Sequence, residues 1–148
     1  MKKILLFFVV ATMALVSCSD DDDNNYVDPI IGNWKLEKII QVTPDGTEVE
    51  VGDDCVIQST INFQANGDLS SNWYDQEEGG PCEETMYTGD WSKRNDGGYN
   101  IAAQSTPGGA FELDIIYPEF RDNYAKMRVP FTPEEVSVNQ HYLVFVRQ

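Results

Sequence analysis

Basic residues are scarce in this sequence. Ten lysines and arginines stand against 25 acidic residues over 148 positions, a formal charge of −15, with a single histidine. A surface this acidic repels phosphate backbones, which argues against nucleic acid as a partner. Long apolar runs are missing as well: none reaches the roughly 18 residues that a membrane-crossing helix needs. Marks of catalysis are equally thin. There is no Gly-x-Ser-x-Gly nucleophile turn, and Gly79-Gly80 is not followed by the Lys-Ser/Thr of a phosphate-cradling loop. The acid pairs Glu77-Glu78 and Glu83-Glu84 read as solvated charge, not as two carboxylates held at a fixed separation. Asp45-Gly46 and Asp53-Asp54 lack the spacing of a calcium loop. His141 reads as an exposed residue at a strand end. The expectation is a protein without catalytic activity, cofactor or metal. Apolar residues are not scarce: at 41% they suffice for a folded core, and the length suits one domain.

The two ends of the chain differ in character. Lys2 and Lys3 precede an apolar stretch from Ile4 to Val16, the layout of an export signal. It closes on Leu15-Val16-Ser17-Cys18. A Leu three before a Cys, with a small residue between, resembles the lipobox of bacterial lipoproteins. The resemblance implies that residues 1–17 are removed and that Cys18 is lipidated and becomes the first residue. Two or more acyl chains hold a protein on a bilayer stably, at ~0.8 kcal/mol per buried CH₂. Ser19 to Asn25, with Asp20 to Asp23 at its centre, is an acidic stretch that repels itself and reads as an extended linker over 18–27. Acids just after such a cysteine also resemble the surface-export signal of bacteroidete lipoproteins. A plain spacer is the other reading.

From residue 28 onward, short alternating runs separated by turn residues replace helical periodicity. Trp34, Leu36, Ile40 and Val42 share one face of the first run, with Lys38 interrupting. Thr43-Pro44-Asp45-Gly46 is a turn, and a short strand at Glu48–Val51 follows. Cys55, Ile57, Ser59, Ile61 and Phe63 align next, and Asn66-Gly67 closes a hairpin into Leu69–Tyr74. A polar loop from Asp75 to Glu84 precedes Thr85–Lys93, the turn Asn95–Gly98, and Tyr99–Gln104. Ala110–Tyr117 aligns Phe111, Leu113, Ile115 and Tyr117. Tyr124–Phe131, Val136–Val138 and Tyr142–Arg147 complete the set. Thr132–Glu135 can open one helical turn, and Pro130 and Pro133 call for a bend or an edge. On its strand, Asp90 faces away from Trp91: with Trp91 inward it is an exposed carboxylate, and in the other register it is a buried one that needs a partner such as Lys38 or Arg128 and is the candidate polar anchor of a pocket. The total is eight to ten short antiparallel strands, the pattern of a β-sandwich or β-barrel.

Several residues then point to a family. Gly32-Asn33-Trp34 resembles the Gly-x-Trp that opens lipocalin-like barrels. Phe63 with Gly67, Gly89-Asp90-Trp91 and the closing strand Tyr142–Val146 follow in the same order as in the compact bacterial lipocalin-like domains. The resemblance spans residues 28–148 and implies an all-β, small up-and-down antiparallel barrel of about eight strands, with Trp34 closing one end. With Cys18 assigned to lipid, Cys55 and Cys82 remain as an even pair in an exported protein, where a disulfide is expected. Free thiols are the alternative; two cysteines without further ligands make a poor zinc site.

A barrel of this size holds side chains or one small ligand. The expected lining comprises Trp34 and Leu36 from the first strand, Ile57, Ile61 and Phe63 from the next long run, and Trp73 and Trp91. Phe111, Leu113, Ile115 and Phe145 complete it. The implied function is a lipoprotein anchored to the outer membrane, at the cell surface or the periplasmic face, that binds a small apolar molecule. The alternative is a filled barrel that contacts a protein or polymer through the loop Asp75–Glu84 and the segment Pro118–Asn123.

Overall fold

A computed structural model describes residues 27–77, 79–106, 109–110, 114–131 and 139–148. Cys18, the signal stretch and most of the linker lie outside the described residues, as do Phe111, Leu113, Thr132–Glu135 and Val136–Val138. Within them the chain is all-β. The strands are β1 (Gly32–Val42), β2 (Glu48–Val51), β3 (Thr60–Phe63), β4 (Asp68–Gln76), β5 (Cys82–Lys93) and β6 (Tyr99–Thr106). They continue with β7 (Gly109–Ala110), β8 (Asp114–Ile116), β9 (Glu119–Arg121), β10 (Lys126–Phe131) and β11 (Gln140–Arg147). All belong to one antiparallel sheet whose main path runs β7-β6-β5-β4-β3-β1-β11-β10-β9; β2 pairs with β1 and β8 with β6. The sheet curls into a half-barrel. Tyr99, Ile101 and Ala103 near one margin and Met127 and Val129 near the other join a single core, so side chains bridge where the described ladder does not.

The alternation of burial dictates this curl. Along β5, Thr85, Tyr87, Gly89 and Trp91 are half-buried while Met86, Thr88 and Asp90 are exposed, as expected of strands with one face on a core and one in water. Asp90 is therefore an ordinary surface carboxylate. Gly89 is a steric requirement. A Cβ there would lie 1.9 Å from the Ala102 carbonyl oxygen and 2.6 Å from the Ala103 Cα, so β5 and β6 approach too closely for any side chain.

Trp34 closes one end. It is fully buried, and its indole N–H donates to the Ile30 carbonyl at 2.7 Å. The Arg147 guanidinium lies 4.3 Å from the ring centroid. The same group donates to the carbonyls of Ile31 (2.6 Å), Pro29 (2.6 Å) and Tyr124 (3.0 Å), tying the first and last described segments together. Gly32, at φ +140°, makes room for it: a Cβ there would meet Arg147 Nη1 at 2.5 Å. Asp28 secures the same end, accepting from Lys93 Nζ at 2.7 Å and from the Tyr99 hydroxyl at 2.6 Å. The β9–β10 turn beside it places three successive non-glycine residues, Asp122, Asn123 and Tyr124, at positive φ, a conformation that asparagine and aspartate tolerate far better than tyrosine. The opposite end of the barrel carries the β1–β2 turn, the β4–β5 turn and a 3₁₀ turn at Val56–Gln58.

Four sequence expectations are corrected by the fold. In β1 a register shift between Leu36 and Lys38 swaps the faces. Leu36 stands opposite Phe145, but Ile39, not Ile40, stands opposite Leu143 on the inner face. Ile40 is buried outside the main core, on the outer face, as are Val144 and Arg128. There Arg128 stacks 3.7 Å from the centroid of the Tyr142 ring and pairs with Glu48 at 2.8 Å. Second, Cys55–Gln58 is not strand. The Asp53 carboxylate accepts the N–H groups of Cys55 and Val56, both at 2.9 Å, and this local capture begins the 3₁₀ turn instead. Third, the loop expected over Asp75–Glu84 is shorter, because β4 and β5 pair as far as Gln76 and Cys82. Fourth, the segment Pro118–Asn123 is not wholly available as a contact surface. Glu119–Arg121 pairs with β10, and Phe120 turns inward to 6.1 Å from Trp34. Pro130 sits in β10 beyond the reach of β9, which ends its pairing at Arg128, where a residue without an N–H disrupts least.

Candidate functional site

The barrel interior is not filled. A cavity of about 300 Å³ lies between the Trp34 end and the opposite turns. Its walls come from nearly the whole sheet: Ile61 and Phe63 of β3, Leu69, Ser71 and Trp73 of β4, and Tyr87 of β5. Ile101 and Ala103 of β6, Ile116 of β8, Met127 and Val129 of β10, and Leu143 and Phe145 of β11 complete them. No lining side chain carries a charge, and Ser71, Trp73 and Tyr87 alone bring polar atoms. Apolar walls with a few placed polar groups describe a small-molecule site, and the volume lies at the low end of the range for such sites.

The floor is aromatic. Phe63 meets Trp91 edge-on at 5.9 Å, Trp91 lies 5.9 Å from Tyr99, and the Trp91 indole N–H donates to the Gln64 carbonyl at 2.9 Å. Contacts between rings in these geometries add to plain burial.

Of the eleven residues expected to line a pocket, Ile61, Phe63, Trp73 and Phe145 do so. Trp34 and Leu36 are closed into the core beside the cavity, and Ile57 and Trp91 pack against that core from the 3₁₀ turn and β5. Ile115 points outward, 40% exposed, as does Tyr117. The pairing explains this: β8 sets Ile116 opposite the inward Tyr99, so the even-numbered residue is the inner one. Phe111 and Leu113 lie outside the described residues. The lining residues missed in the sequence were mostly readable by the same alternation: Leu69 and Ser71 on β4, Tyr87 on β5, Ile101 and Ala103 on β6, Met127 and Val129 on β10, and Leu143 two before Phe145, with Ile116 set by its pairing. His141 differs from its expectation too. It belongs to β11, is half-buried 5.6 Å from the Phe131 ring, and its Nδ1 is covered without a hydrogen-bond partner among the described residues.

Cys55 and Cys82 form the expected disulfide, with Cα atoms 5.6 Å apart. It fastens the start of the 3₁₀ turn to the start of β5 at the end opposite Trp34. The titrating groups with shifted pKa values lie away from the cavity. Asp28 is lowered: burial pushes its carboxyl up, but hydrogen bonds from Lys93, Tyr99 and the Ile30 N–H outweigh that. Asp96, in the β5–β6 turn, falls to about 2 because Arg94 and the Gly98 N–H hold its charged form. Among the described residues, no three His, Cys, Asp or Glu side chains are placed to hold a metal ion.

Comparison with known proteins bears on this architecture. The model of the lipocalin-like domain matches residues 30–115. The chain belongs to the lipocalin-like domain family. The matched stretch of this lipocalin-like chain begins just before Gly32-Asn33-Trp34 and contains the second Gly-x-Trp, so both motifs lie inside it. No curated protein matches the sequence. Similar solved structures include a redesigned beta barrel, 11% identical with a TM-score of 0.40, covering 81% of this chain and 92% of that one. Another is a de novo designed fluorescence-activating beta barrel, 18% identical with a TM-score of 0.41, covering 80% and 93%.

Proposed function

We propose that this lipocalin-like protein binds one small, mainly apolar molecule inside the barrel, without a chemical step. The observation that carries the reading is the cavity of about 300 Å³ with its uncharged, largely aliphatic and aromatic wall. A filled scaffold would need those side chains to meet across the axis. Burying apolar ligand surface there supplies about 25 cal/mol per Å² before the costs of association. The proposal places the barrel on the outer membrane through lipid on Cys18, which the register of Leu15, Ser17 and Cys18 supports.

Two cavity-filling substitutions test the binding reading. An uncharged dye whose emission brightens in apolar surroundings is titrated into the wild-type domain, Leu143→Trp and Ala103→Leu. Saturable binding by the wild type, with strong weakening in both folded variants, is expected. Dye binding that is absent from the wild type, or unchanged in both variants, overturns it. For the anchor, Cys18→Ser is expected to abolish incorporation of a fatty-acid analogue in a lipoprotein-processing bacterial host; undiminished labelling refutes it.

A further inference from the structure

We propose that Trp73 is the polar anchor of the cavity, and that the ligand is an apolar molecule bearing an uncharged acceptor oxygen, such as a ketone or ester carbonyl. This rests on the cavity being the binding site. The three tryptophans are not equivalent. Trp34 and Trp91 each spend their indole N–H on a backbone carbonyl, of Ile30 and Gln64. Trp73 lines the cavity, yet its N–H has no hydrogen-bond partner among the described residues. An indole nitrogen can only donate; that of Trp73 is not among the buried atoms without a partner, so on this half-buried side chain it stays accessible to an arriving acceptor. A donor left open on a cavity wall specifies what should arrive there.

The neighbouring groups narrow the chemistry. Ser71, two residues earlier on the same face of β4, donates its hydroxyl proton to the Thr60 carbonyl at 2.9 Å, so toward the cavity it offers lone pairs only. No lining residue carries a positive charge to pair with a carboxylate, and a carboxylate moved into such walls without a partner is strongly disfavoured. An uncharged oxygen is what remains. It accepts from Trp73 while the rest of the molecule fills the aliphatic space toward Leu143 and Val129.

The test compares decan-2-one, decane and decanoate as competitors of the bound dye on the wild-type domain and on Trp73→Phe, which keeps an aromatic ring and removes the N–H. The ketone is expected to outcompete decane about three- to tenfold on the wild type, as one net hydrogen bond provides, with decanoate weaker than the ketone. In Trp73→Phe the ketone should fall to the level of decane. In a ¹H–¹⁵N spectrum of the wild type, one indole resonance of three should move with the ketone and stay in place with decane; this readout does not depend on how the variant folds. Equal binding of ketone and decane, a preference that survives in Trp73→Phe, or decanoate as the tightest ligand overturns the anchor and leaves the cavity reading standing. If none of the three competes and the dye does not bind, both proposals fall.

Discussion

Replacing Arg147 should reveal how the Trp34 end is held. Arg147→Met keeps a long apolar stem over the indole but removes every donor. Three carbonyl hydrogen bonds go, to Ile31, Pro29 and Tyr124, together with the stacking of the cation on Trp34. Each bond contributes about 0.5–1.5 kcal/mol net, and the cation–π contact about 0.5–2 kcal/mol. The carbonyls lie near solvent and regain water, so the sum is not fully realised; a loss of about 2–4 kcal/mol is expected. With a urea dependence of ~2 kcal/mol/M for a domain of this size, the unfolding midpoint should fall by about 1–2 M. Arg147→Lys is the control. A lysine keeps the charge but lacks the planar fork that reaches carbonyls on three segments, so it should recover less than half of the loss. Equilibrium urea unfolding followed by tryptophan fluorescence measures both variants. A midpoint shift under about 0.3 M for Arg147→Met, or a lysine variant as stable as wild type, refutes the clamp.

Two further outcomes concern the close approach of β5 to β6 and the carboxylate of Asp28. Gly89→Ala places a methyl against the backbone of Ala102 and Ala103, and should lower stability by about 3 kcal/mol, the upper end of overpacking costs; an unchanged melting temperature would show that β5 and β6 can part freely. Asp28 has its pKa lowered in the folded state, so its stabilisation is present above the unfolded carboxyl value near 3.8 and is lost as the pH falls through the folded value. Asp28→Asn should therefore be less stable than wild type at pH 7, by roughly 1 kcal/mol, and the gap should close in acid. A gap that is the same at pH 7 and pH 2.5, in urea midpoints, would remove the carboxylate from the account.

The parts of this fold that were legible in the sequence obey period two. Alternation set Trp91 on β5 and Phe145 on β11 on the inner face, and the cysteine count led to the Cys55–Cys82 bond. What was hidden breaks the period or acts across the chain. The shift after Leu36 moves Ile39 inward and Ile40 outward, yet both are isoleucine, so composition carries no trace of it. At Ile115 and Ile116 the same ambiguity recurs: adjacent isoleucines leave the parity to the partner strand, and Tyr99 decides it. The 3₁₀ turn had a signal in Asp53, whose carboxylate sits in position to cap the residues that follow. Arg147 had none, because its role depends on backbone carbonyls of segments that meet it only after folding. The cavity itself follows from how far facing side chains fall short of each other, which depends on the radius of the curl and not on any one residue.

One consequence concerns orientation. Pro29 and Ile31, where the described chain enters the barrel, and Arg147, where it leaves, are bound to each other at the Trp34 end. Any leash attached at either terminus therefore pulls on the sealed base, and the disulfide-braced rim is presented to whatever lies beyond. A surface linked to either end of the described chain therefore faces the Trp34 end and leaves the Cys55–Cys82 end pointing away from it.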